Sequence, residues 1–119
     1  MKTAIINSDS YEKHNTGDGH PEQPKRVIAI KEKLKKRKDL IWDKPVDVPE
    51  DILSMTHSKV YIENLKNSFP KKGLKFLDGD TVVSPESKKA IFEAAGSTIK
   101  AIDGIETNQF QNAFCLARP

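Results

Sequence analysis

Two short apolar runs, Thr3-Ala4-Ile5-Ile6-Asn7 and Asn112-Ala113-Phe114-Cys115-Leu116-Ala117, stand near opposite ends of this 119-residue chain. Neither alternates with polar residues, which is the pattern of a strand buried on both faces. The residues between them carry helical signals, and two buried strands separated by helices imply a parallel crossover. The expected architecture is therefore α/β, although two strands are too few to complete a sheet.

The helical signals are local. From Pro24, the residues Val27, Ile30 and Leu34 recur at helical spacing with lysines on the other face, predicting a helix that ends near Lys38. Val48-Pro49-Glu50-Asp51 suits a helix start, and Thr56 is an N-cap candidate for a second short helix through Leu65. Ser84-Pro85-Glu86 supplies a cap, a first-turn proline and an acid; Ile91, Ala95, Ile99 and Ile102 follow on one face. Ala94-Ala95-Gly96 permits close backbone approach, and Asp103-Gly104 reads as the stop. Residues 8–21 and 69–81, rich in Gly, Pro and Asp, read as long loops of the kind that carry function.

Composition narrows the possibilities further. With 36% apolar and 31% charged residues the chain is lean but able to fold, and its length allows one domain at most. A single cysteine, Cys115, excludes an internal disulfide and any multi-cysteine zinc module, and reads as a small buried apolar residue. The net charge of +3 is local in origin, because residues 22–38 alone carry +6. That lysine face could neutralise phosphates, but it lacks interleaved aromatic or amide readers, so a solvated face is the better account and nucleic-acid binding is disfavoured. No apolar run approaches a membrane span and no secretory leader opens the sequence, so a soluble cytoplasmic protein is expected.

The chemistry-bearing residues are sparse. Asp18-Gly19-His20 has a spacing that could offer two metal ligands, yet no third stands nearby. His57 falls in a helix first turn, where a structural role is the default. Gly17 and Gly19 are followed by no Gly-Lys-Ser/Thr, which excludes a phosphate loop.

Taken in order, five stretches resemble one family. They are Gly19-His20-Pro21-Glu22-Gln23-Pro24-Lys25-Arg26-Val27, then Met55-Thr56-His57-Ser58-Lys59-Val60-Tyr61-Ile62, then Leu77-Asp78-Gly79-Asp80-Thr81 with Ser84-Pro85-Glu86-Ser87, then Ala94-Ala95-Gly96, and Asn112 to Pro119. The set resembles the N-terminal part of the histone deacetylase superfamily, especially its bacterial deacetylase-like and acetoin-utilisation-type members. The resemblance implies the N-terminal portion of a three-layer, parallel-sheet arginase/deacetylase α/β fold, with residues 1–119 a partial domain. It also implies hydrolysis of acetyl-lysine or a related acetylated amine by a zinc-bound water. The family's Arg-Pro-Pro-Gly-His-His motif begins here as Arg118-Pro119, which leaves the tandem histidines, the metal ligands and the catalytic tyrosine downstream. On this basis the 119 residues hold no catalytic residue and no metal ligand, and are expected to be inert alone; zinc belongs to the complete domain. What the resemblance carries over is a substrate rim of His20, Pro21, Glu22 and Asp80, and Arg26 at an internal channel behind the metal. A buried ion pair is the competing reading of Arg26. An incomplete sheet also exposes an edge, so a homodimer or higher oligomer covering it is expected, and a stand-alone interaction module is the alternative function.

Overall fold

A computed structural model describes residues 2–118, so Pro119 and its part in the Arg-Pro motif lie outside the described residues. The first apolar run forms β1 (Thr3–Ile6), with Ala4, Ile5 and Ile6 all buried. A single helical turn, α1 (Ser10–Lys13), interrupts the expected loop, and α2 (Pro24–Leu34) follows. α2 ends four residues before Lys38, because its last apolar anchor is Leu34 and only charged residues follow. Lys31 ties α2 to α1 through Asp9 (3.2 Å) and Glu12 (2.6 Å), and its hydrogen bond and charge hold the Asp9 carboxyl below its ordinary value.

A strand that the periodicity does not predict comes next, β2 (Leu40–Asp43). Then come α3 (Glu50–Ser54), α4 (Lys59–Lys66), the two-residue strands β3 (Lys75–Phe76) and β4 (Val82–Val83), α5 (Ser87–Glu106) and β5 (Asn112–Cys115). Ser58, not Thr56, caps α4, its hydroxyl accepting the Tyr61 N–H at 3.1 Å. α5 opens at Ser87 rather than at Pro85, and it runs past Gly104 to Glu106.

The main sheet has the order β2-β1-β5 and is wholly parallel, so the two runs that frame the sequence are neighbours in space. Register sorts its core into two faces. Ala4 and Ile6 pack with Ala101 of α5, Phe110, Ile41 and Cys115; Ile5 packs with Tyr11, Val27, Leu34 and Leu40. α1 packs against both α2 and α5. β3 and β4 form a separate antiparallel hairpin. No described helix is long and apolar enough to cross a membrane.

Candidate functional site

Two loops converge to make the site. In the first, Gly19 adopts φ +76°, a left-handed turn that a side chain would strain, and this turn places His20 and Glu22 on one lip of a cleft. The second is the hairpin tip between β3 and β4. There the Asp78 carboxylate accepts the N–H groups of Thr81 (2.8 Å) and Asp80 (3.1 Å), bonds that hold its carboxyl below the ordinary range. Leu77 N–H closes the turn on the Thr81 carbonyl at 2.8 Å.

His20 joins the two lips. Its Nδ1 accepts the Glu22 N–H at 3.0 Å, so Nε2 carries the proton and donates it to the Asp80 carbonyl at 2.7 Å. The cleft between the lips is about 440 Å³, walled by Tyr61, Leu65, Leu77, Val82, Val83 and Ile91 beneath the polar rim of His20, Glu22 and Asp80. A mainly apolar slot with a few polar groups at its mouth is the form of a small-molecule or side-chain site. His57 stacks on Tyr61 with ring centroids 5.0 Å apart.

The predicted rim residues His20, Glu22 and Asp80 thus line one cleft, and Pro21 lies exposed between the first two. Arg26 sits elsewhere: its side chain is 59% exposed and its guanidinium ion-pairs with Glu22, i,i+4 along the chain. The buried arginine of this region is Arg118, with 2% exposure. In the sequence Arg118 stands only as the start of a motif; its place two residues after Leu116, which is buried, is the available signal that it turns inward.

The residues present do not fit a zinc ion. No group of three or more His, Cys, Asp or Glu among the described residues could hold a metal. Both His20 ring nitrogens are committed, and His14 Nδ1 shares a 2.6 Å hydrogen bond with Ser87 Oγ in the buried floor. Asp18, the partner suggested by spacing, lies exposed in the loop. No hydrolytic step is therefore routed through these side chains.

The chain is similar to several known proteins. A family model described as histone deacetylase domain matches residues 20–119. Uncharacterized protein slr0245 of Synechocystis sp. is 36% identical over 125 residues, covering 98% of this chain and 40% of its own length. A protein of Archaeoglobus fulgidus named "Probable deacetylase" is 26% identical over 125 residues, covering all of this chain and 34% of its own. The crystal structure titled HDA15 HD domain superposes with a TM-score of 0.88 at 22% identity, over 100% of this chain and 36% of that one, and so shares its fold. The chain spans well under half the length of each of these proteins.

Proposed function

Because this chain belongs to the histone deacetylase family, we propose that it forms the first part of a zinc-dependent amidohydrolase acting on acetyl-lysine or a related acetylated amine. In this reading it supplies one wall and the rim of the substrate cleft, while the zinc ligands come from residues outside these 119. The observation that supports it most is the convergence of the His20–Glu22 loop and Asp80, 60 positions on from His20, on one slot. Apolar walls suit an aliphatic arm, and the exposed Asp80 at the mouth suits the N–H groups of a substrate backbone or amine.

The 119-residue chain supplied with zinc is expected to show no turnover of a fluorogenic acetyl-lysine substrate; turnover above a metal-free control would overturn the reading. In a longer protein that carries the metal ligands, Asp80→Ala should raise KM about tenfold or more with little change in kcat, the scale of one charge-assisted hydrogen bond.

A second reading, an interaction module that self-associates, has one observation in its favour. Among the described residues β5 has a strand neighbour on one side only, and its Phe114 is 47% exposed.

A further inference from the structure

Arg118 is the most deeply committed charged residue described. Its Nε donates to Glu22 Oε1 at 2.8 Å and its Nη2 to the Glu22 carbonyl at 3.1 Å. Nη1 donates to the carbonyls of Tyr11 (2.8 Å) and His14 (2.6 Å), the last acceptors of the α1 turn. A planar guanidinium can satisfy such a fork; a lysine ammonium, a single point donor on a flexible stem, cannot reproduce it.

Glu22 is equally committed. Its second carboxylate oxygen takes Arg26, its carbonyl also takes the Thr16 hydroxyl, and its N–H goes to His20 Nδ1. Every polar atom of Glu22 thus has a partner within the protein, which gives it a structural part in the cleft wall. The chain of bonds continues from Arg118 through Glu22 to His20, and from His20 to the Asp80 carbonyl on the opposite lip.

We propose that Arg118 is the positioning residue of the cleft rim: by clamping Glu22 it orients His20 and keeps the two lips latched through the His20–Asp80 bond. The segment following β5 thereby sets the width of a cleft whose mouth is built from residues much earlier in the chain; the Arg118–Glu22 pair spans 96 positions and the His20–Asp80 pair 60. The role assigned to the cleft rests on the proposed deacetylase reading, but the latch itself does not, and its test needs no turnover.

The test is the His20 imidazole Nε2–H proton of this chain, followed by NMR near neutral pH. Held on the Asp80 carbonyl, it should exchange slowly enough to be observed, and its absence from the folded parent chain would overturn the latch. Arg118→Lys, which keeps the charge and loses the fork, should abolish the signal while leaving the His57 resonances in place. A folded Arg118→Lys chain that retains the signal would refute the assignment. Should that variant fail to fold, Glu22→Gln decides: it keeps the side-chain volume and an acceptor, and should speed solvent exchange of the His20 proton at least tenfold, whereas no change would overturn the proposal. Arg26→Ala removes the other arginine from Glu22 and should leave the signal intact; an equal loss there would assign the effect to Glu22 alone and remove Arg118 from the role.

Discussion

Burial separates the residues that hold this molecule from those that stud its surface. Arg26 and Arg118 share the Glu22 carboxylate, yet one side chain is 59% exposed and the other 1%. An exposed pair contributes little after screening. Replacing Arg118 by Met, by contrast, takes the buried partner from the Glu22 carboxylate and the guanidinium donor from the Tyr11 and His14 carbonyls, and should cost about 3–5 kcal/mol in a urea melt. Arg26→Ala should fall within about 1 kcal/mol of the parent. Tyr11 offers a pH test. Its ring is buried and its hydroxyl donates to the Glu93 carbonyl at 2.9 Å, and burial pushes the phenol up from 10.0 to about 12. A raised value means the folded state favours the neutral phenol. That contribution is fully present below the unfolded value near 10 and is lost as pH rises through about 12. The tyrosinate absorbance should accordingly show a late phase that disappears in Tyr11→Phe. Nothing around Tyr11 in the sequence marks it for burial; a lone tyrosine in a polar stretch became a core residue because α1 is wedged between α2 and α5.

At the scale of elements, the local signals located every helix but α1 and mistook some of their ends. Gly104, read as a stop, lies inside α5, where a Cβ would intrude on the Phe110 ring; the chain turns only at Asn108, at φ +57°. Gly96 fulfils the expected close approach, since a Cβ there would overlap the Val46 carbonyl oxygen. Glycine to alanine inside a helix ordinarily stabilises by about 1 kcal/mol. Gly96→Ala should reverse that sign and destabilise by about 1–3 kcal/mol, as overpacking does, because the obstructing atom is backbone. Ser58→Ala should cost about 1 kcal/mol by removing the α4 cap, whereas Thr56→Ala should be nearly neutral, its hydroxyl reaching only the Leu53 carbonyl at 3.5 Å. Thermal melts of the two variants would separate the cap from the decoy. β2 escaped prediction for a physical reason. Its four residues include an exposed Trp42 and a polar Asp43, too short and too mixed to show a period, and they become a strand by pairing with β1.

The molecule as a whole is a three-stranded parallel sheet with the cleft loops beside it, spanning 40% and 34% of two family relatives. If the exposed β5 edge and Phe114 act as an interaction surface, light scattering should show association that grows with concentration, and Phe114→Lys should suppress it without lowering the melting temperature. A monomer at every concentration would remove the module reading. Ile30, Ile102 and Phe114, read as core positions, are 41%, 55% and 47% exposed; the sequence by itself determined the strands β1 and β5, the helices α2 and α5, and the ordered motifs that mark the family. These are encoded in neighbours a few residues apart, where period and turn chemistry act. Only the tertiary structure decided that Glu22 meets Arg118, that His20 meets Asp80 and that Arg26 stays outside. Such pairings are set by sheet register and helix packing, which bring together groups 60 and 96 positions apart that no local pattern connects.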